Sequence, residues 1–261
     1  MKKLSFQYET QLSFSKKITK HFFVLRFMPL STSAQKICSV EYSVNPQEHI
    51  DINTDCFGNT TVIGRMLAPH DDFRFVINGI AFTDVSAVGV ESLHPVYKYS
   101  SPYTQAADNI VAYYQEKLAD ALLPEMTNVE KAGLIMETVY DDFSYQPGVT
   151  SVKTTASEAL EIGQGVCQDY AHICIALLRH AGIPARYVAG LMLGEGATHA
   201  WVEVYEKDRW VGIDPTHNRM VDDDYIKISH GRDYGDCMVE RGTFVGIAEQ
   251  LQEVHASVEA L

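Results

Sequence analysis

The segment GQGVCQDYAHICIALLRHAGIPARYVAGL, residues 163–191, joins a glycine-rich turn to a lone cysteine and a long apolar-periodic run. Apolar side chains recur every three or four residues from Tyr170 to Ala181, which predicts the buried face of an amphipathic helix. Gly182 and Pro184 predict the end of that helix. Cys167 is therefore expected in the first helical turn.

Three roles are open to Cys167 at this position: a nucleophile, a metal ligand or a small buried side chain. A helix N-terminus favours a thiolate through its partial positive charge, and its free backbone N–H groups can hold a developing oxyanion. Gly163 and Gly165 have no side chains, so we expect a carbonyl group to reach the sulfur. Cys174, two turns further on, is expected to be a core residue.

Three strand-like runs follow the helix: ARYVAGLML, HAWVEVYE and RWVGIDP, the last two joined by a short turn at Lys207 and Asp208. His199 opens the second run after a glycine-rich loop, and Asp214 ends the third run before a proline. Two hairpin-paired strands would present these side chains next to each other. A base and an orienting acid that fixes its tautomer would then stand near the nucleophile.

The first third of the chain has the period-two pattern of an antiparallel sandwich or barrel, from Leu4 to about Val90. Two prolines and a serine pair mark a linker at residues 94–102, after which helical periodicity begins. One of the helices is expected to start at Asn128 as N-cap. The final residues alternate again, which predicts a strand that returns to a sheet.

Composition excludes several classes of function. The 261 residues carry a net charge of −13, which opposes binding to phosphate and makes nucleic acid an improbable partner. The five cysteines show no CxxC pair, which is typical of reduced thiols in the cytoplasm. Neither a signal peptide nor a membrane span is recognisable, so no membrane partner is expected.

The motifs GQGVCQDYAHICIALLRHAGIPARYVAGL, THAWVEVY and WVGIDPTHN resemble those of the transglutaminase-like superfamily, whose catalytic core is related to papain. FGN at 57–59 and the tail GRDYGDCMVERGTFVG at 231–246 resemble its bacterial branch, which has an N-terminal β domain. The resemblance implies an α+β protein with an antiparallel β domain at 1–95, a helix-plus-antiparallel-sheet catalytic domain at 96–235 and a C-terminal strand segment at 236–261. It also implies that Cys167 is the nucleophile, His199 the base and Asp214 the orienting acid.

The sequence departs from two branches of this superfamily. It lacks the C-G-S-C-W signature of papain and the calcium-binding segments of animal transglutaminases. We therefore expect an enzyme without cofactor or metal that hydrolyses peptide or isopeptide amide bonds in a peptide or protein substrate. The alternatives are a transglutaminase that joins glutamine to amines and a non-catalytic peptide-binding scaffold. A zinc site at the same three residues is a further, less favoured possibility.

Three further residues are candidates for the substrate or oxyanion site: Gln164, Gln168 and Trp201. The two glutamines flank the nucleophile, where either amide could donate to an oxyanion. Trp201 alternates onto the face of His199, where it would pack by the imidazole or flank a cleft, but the favoured expectation is that it fills an interface between sheet and helix. His172 and His180 are expected to face solvent, and the acidic run VDDDY at 221–225 is expected to be a solvated loop.

Overall fold

The computed structural model describes all 261 residues and divides them between two antiparallel sheets and a small group of helices. The helices are α1 (Asp108–Lys117), α2 (Asn128–Asp142), α3 (Ala156–Ile162), α4 (Cys167–His180) and α5 (Tyr234–Cys237). The first sheet contains β1 (Lys2–Met28), β2 (Gln35–Asn45), β3 (His49–Thr54), β4 (Thr60–Met66), β5 (His70–Thr83), β9 (Gly194–Gly196), β14 (Glu240–Val245) and β15 (Gln250–Ala260). The second contains β8 (Ala185–Met192), β10 (His199–Glu206), β11 (Arg209–Asp214), β12 (Arg219–Met220) and β13 (Tyr225–Gly231). The two-residue strands β6 (Ser144–Tyr145) and β7 (Gln164–Gly165) form a parallel pair.

Strand β1 organises the first sheet because it is 27 residues long and changes its partners halfway. Residues 4–14 pair with β15 on one side and β5 on the other, whereas residues 21–28 pair mainly with β4 and β14. The registers shift between residues 13 and 22, where Lys20 has a φ of 49°. The chain therefore bends within one strand, and the sheet curves around an aromatic-rich core.

The second sheet has the strand order β12-β11-β10-β8-β13, and α4 packs across β10 and β8. Ala200, Val202 and Val204 on β10 face the helices and share their hydrophobic core. The β10–β11 turn places Lys207 and Asp208 at φ values of 47° and 60°, the left-handed pair of a two-residue hairpin. The sequence therefore located this hairpin correctly.

The end of α3 and the start of α2 are each fixed by a specific cap residue. Helix α3 ends at Gly163, whose φ of 72° is the left-handed conformation that glycine adopts most easily. Helix α2 is capped by Thr127, which forms a reciprocal capping box with Glu130, so the expectation of Asn128 as N-cap was wrong by one residue. The Asn128 side chain donates instead to the carbonyl of Tyr205 and ties α2 to β10.

The two sheets are joined by packing and by strand pairing. Leu191, Ile226 and Ile228 of the second sheet belong to the same core as the apolar residues of β1, β4 and β5. Strand β9, which follows β8 directly, pairs with β15 in the first sheet.

The α+β fold predicted from the sequence is confirmed. No helix is long and apolar enough to span a membrane.

Gly190 is expected to tolerate no side chain. It lies in β8 opposite His199, and a Cβ atom there would collide with the Trp201 ring and the Ile226 carbonyl. Gly190→Ala should lower the free energy of unfolding by about 1–3 kcal/mol, the usual cost of overpacking, as measured by urea denaturation. Gly133→Ala is the control, because nothing lies within 4 Å of a Cβ at Gly133 in α2. Equal stability of the two variants would contradict the tight packing at Gly190.

Candidate active site

Cys167 is the first residue of α4, as the sequence predicted. Its backbone N–H is therefore among the first-turn donors that have no acceptor within the helix. The side chain is partly exposed and lines an open cleft. The thiol thus stands where a substrate carbonyl can approach and where the helix terminus favours negative charge.

Two glycines beside Cys167 have roles other than the open approach expected from the sequence. Gly163 is the left-handed cap of α3, as described above. Gly165 is required because a Cβ atom there would collide with the Asp169 carboxylate. That carboxylate accepts hydrogen bonds from the Val166 N–H at 2.8 Å and the Thr150 hydroxyl at 2.7 Å. Asp169 therefore fixes the chain entering α4 and holds the 150 loop beside it.

His199 lies between the thiol and a buried carboxylate. Its Nε2 is 2.7 Å from Oδ2 of Asp214, and its ring lines the same cleft as the Cys167 side chain. His199 begins β10 and Asp214 ends β11, so the hairpin pairing of these strands presents the two side chains together. Cys167, His199 and Asp214 lie close together, as expected from the sequence.

Asp214 accepts four hydrogen bonds although it is completely buried. Its Oδ2 accepts from His199, from Nδ1 of His217 at 2.8 Å and from the Tyr225 hydroxyl at 2.7 Å. Its Oδ1 accepts from the Thr216 N–H at 3.0 Å. This set of donors holds an ionised carboxylate in place and prevents its rotation away from the imidazole.

The charges of this pair favour an imidazolium beside a carboxylate. Burial disfavours the protonated His199 ring, but the hydrogen bond to Asp214 and the nearby thiol outweigh burial and raise the pKa of His199 to about 9. For Asp214 burial acts to raise the pKa, yet the hydrogen bonds from His199, Tyr225 and His217 lower it to about 2. His199 is therefore protonated at neutral pH and holds a proton that it can donate.

The cleft beside the thiol has a volume of about 330 Å³. One wall follows β8 and β9 to His199, and Tyr145 and His217 stand at its sides. Residues 256–258 of β15, which pair with β9, also line the cleft. Both sheets therefore contribute to the surface that a substrate would contact.

The three substrate or oxyanion candidates lie outside this cleft lining. Gln164 is exposed in β7, and Gln168 is mostly buried with its amide donating to the Val152 carbonyl at 3.4 Å. Trp201 is buried with its ring centre 6.3 Å from that of His199. It packs by the imidazole on the face of β10 away from the helices, so the favoured expectation of a sheet–helix interface was wrong. An oxyanion role for either glutamine stays a prediction.

Sequence reasoning missed Tyr225 and misjudged its neighbours. Tyr225 is buried, and the run 221–225 is not simply solvated, because Asp223 and Asp224 form ion pairs with the N-terminus and Lys2. His172 is also fully buried, where it accepts from the Tyr234 N–H, so its expected solvent exposure was wrong. His180 is exposed, as expected. The role of Tyr225 could not be recognised from the sequence, because its contact with Asp214 depends on how the strands pair.

Nitrogen and oxygen atoms that could bind a metal ion also meet here. One atom from each of His199, Asp214 and His217 lies within 4.8 Å of the others. The sequence-based zinc alternative used Cys167 in place of His217. The short hydrogen bonds described above engage these same atoms, so a metal ion would have to displace the bonds that orient His199.

Comparisons with known proteins agree with this arrangement. The family description "Transglutaminase-like superfamily" matches residues 116–215, and "Bacterial transglutaminase-like N-terminal region" matches residues 4–81. The chain thus contains a transglutaminase-like core and the bacterial transglutaminase-like N-terminal region, and the resemblance noted in the sequence is confirmed.

Individual relatives cover different parts of this chain. A proposed cysteine protease from Cytophaga hutchinsonii superposes with a TM-score of 0.80 at 23% identity, over 100% of this chain and 92% of that chain, which shows the shared fold. An uncharacterized Mycobacterium tuberculosis protein is 38% identical over 49% of this chain, but the match spans only 46% of that protein. The Pseudomonas aeruginosa protein named protein-glutamine gamma-glutamyltransferase is 31% identical over 33% of this chain and 15% of its own length.

Asp214→Asn tests the pairing at His199. Without the carboxylate, burial is opposed mainly by the thiol, so we expect the pKa of His199 to fall from about 9. The histidine ring signals in an NMR titration measure this change, with His180→Gln as a control for assignment because His180 is exposed. An unchanged pKa would remove Asp214 as the group that holds the proton on His199.

Proposed function

We propose that this protein is a thiol-dependent acyl-transfer enzyme that hydrolyses peptide or isopeptide amide bonds. Cys167 is the nucleophile, His199 the acid and base, and Asp214 the group that orients the imidazole. The observation that supports this most is the position of His199, in reach of a thiol at a helix start and of a buried carboxylate at the end of the neighbouring strand. Thiol, imidazole and cleft lie together in one open site.

The reaction needs two steps. The Cys167 sulfur attacks the amide carbonyl carbon, and the backbone N–H groups at the start of α4 stabilise the oxyanion. The C–N bond breaks as His199 gives its proton to the leaving amine, which leaves a thioester on Cys167. His199 then removes a proton from water, the hydroxide adds to the thioester, and the released thiol leaves a carboxylic acid as product.

The fate of the thioester separates hydrolysis from cross-linking. Solvent reaches the cleft, since the side chain of His217 beside Asp214 is 41% exposed, and this favours water as the acceptor. The similarity to the Pseudomonas aeruginosa glutamyltransferase favours a primary amine instead. Amine transfer is therefore the second candidate, and a peptide-binding scaffold without turnover is the third.

The absence of disulfides among the five cysteines supports the proposed cytoplasmic location.

Selective alkylation tests the nucleophile. We expect iodoacetamide to modify Cys167 before the other cysteines, because its side chain lies in the open cleft beside His199 and at a helix N-terminus. Mass spectrometry of peptides locates the label. Cys38→Ala serves as the matched control for Cys167→Ala, since Cys38 is an exposed cysteine away from the cleft. Labelling of Cys38 ahead of Cys167 would contradict an activated thiol.

Turnover with a glutamine-containing peptide and a primary amine distinguishes the candidate reactions. Ammonia release without amine incorporation indicates hydrolysis, and incorporation indicates transfer; both should vanish in Cys167→Ala and persist in Cys38→Ala. Asp214→Asn should reduce turnover by about 10³–10⁴-fold while the fold remains, because the tautomer and orientation of His199 are lost. Selective alkylation without turnover on any amide tested would favour the scaffold.

The alkaline limb of the pH profile follows from the raised pKa of His199. The leaving amine needs the proton of His199, which is present below about pH 9 and is lost as the pH rises through that value. The rate of acylation should therefore fall on the alkaline side with an apparent pKa near 9, as measured by the pre-steady-state release of the amine. A rate that keeps rising above that pH would show that His199 does not supply the proton.

A further inference from the structure

A second cavity, of about 640 Å³, lies on the face of the second sheet that α4 does not cover. Its floor includes Trp201 and Glu203 of β10, whereas the alternate residues of that strand face the helices. Segments 30–35 and 83–91 of the β domain and linker form the other wall. This volume is in the range of sites for small molecules. No residue of its lining belongs to the catalytic cleft.

The charged groups of the floor are already paired with one another. Arg186 donates to Glu203 at 2.5 Å and to both oxygens of Glu91, and Lys227 donates to Glu203 at 2.7 Å. The Arg186 guanidinium also lies 4.1 Å from the centre of the Trp210 ring. Two cations thus meet two carboxylates, so a charged group on this buried floor would find no free counter-charge, whereas Arg209, a lining cation without an ion pair, is exposed to solvent.

Several polar groups of the lining keep hydrogen-bonding capacity, because the ring nitrogens of Trp201, Trp210 and His230 are buried without a partner. The Lys227 ammonium has three N–H donors, and its side-chain hydrogen bond goes to Glu203. Around it the lining is apolar and aromatic, with Val88, Val221 and Trp201 among its members. An acceptor oxygen on an otherwise apolar molecule fits these surroundings.

We propose that this cavity is a second ligand site, for a neutral small molecule with an apolar or aromatic body and a carbonyl oxygen. Two residues connect the site to the triad. Trp201 packs by His199, and Tyr225, which also lines the cavity, donates to Asp214. A ligand there contacts the residues that support the imidazole and its carboxylate from the side away from substrate.

The neutral dye Prodan, which is a naphthalene that carries a ketone and a dialkylamine, provides a direct test. The chain has two tryptophans, and both line the cavity. We expect saturable binding of one equivalent, a blue-shifted dye emission and energy transfer from tryptophan to the dye. The anionic dye anilinonaphthalene sulfonate should bind roughly tenfold more weakly or less, because the cations of the buried floor are already paired with carboxylates. Equal binding of both dyes, or no saturable binding of Prodan, would overturn the proposal.

Variants that fill the cavity locate the bound dye. Ala34→Phe with Val88→Phe should weaken Prodan binding by roughly tenfold or more, since two rings occupy the space. Ala112→Phe with Val245→Phe makes the same changes at positions outside both cavities and should leave binding unchanged. Circular dichroism checks folding, and Val221→Phe in the opposite wall replaces the double variant if that variant does not fold. Equal binding in a folded, filled variant would overturn the site.

Alkylation of Cys167 separates this proposal from the proposed catalytic function. Prodan should bind equally to the native and the iodoacetamide-treated protein, because Cys167 does not line this cavity. Loss of dye binding after alkylation would place the dye in the catalytic cleft and overturn the second site. Dye binding that persists in a protein without turnover would support the second site although the catalytic proposal had failed.

Discussion

The charge of Asp214 is the constraint on which the site depends. A completely buried carboxylate costs several kcal/mol unless hydrogen bonds and an opposite charge replace its hydration. Its donors come from separate places: His199 from β10, Thr216 and His217 from the loop after β11, and Tyr225 from β13. The carboxylate is satisfied only when these strands hold their registers, so the same hydrogen bonds that orient His199 also join the strands of the second sheet.

The β domain contributes to the site through its last strand. Strand β15 pairs with β1 along residues 4–14 and then presents residues 256–258 to the catalytic cleft. It also receives β9, the short strand between β8 and the loop that leads to His199. The shared core with Leu191 and Ile226 makes this junction a packed one rather than a linker between independent units. The cleft is therefore a product of both sheets, and its shape follows the position of β15 on β1.

The local sequence pattern was sufficient to locate the helix and strands that carry Cys167, His199 and Asp214. A glycine stop, a helical stripe and a two-residue turn placed Cys167, His199 and Asp214 at a helix start and at strand ends without knowledge of distant contacts. Long-range pairing determined the rest. Tyr225 acquires its role from the register of β13, and His172 is buried because Tyr234, far along the chain, donates to it. Neither of these long-range contacts can be recognised from the local sequence pattern.

The two faces of strand β10 have different surroundings: one packs against the helices and the other faces the second cavity. Its even-numbered residues pack under α4, whereas Trp201 and Glu203 turn to the other side. Buried ion pairs such as Arg186 with Glu203 are often replaceable by apolar side chains without loss of stability. Stability alone therefore gives no reason for a charged cluster on that face. A cavity floor that must stay polar yet uncharged overall does give one, because paired charges keep the space open to a neutral ligand and exclude an ionic one.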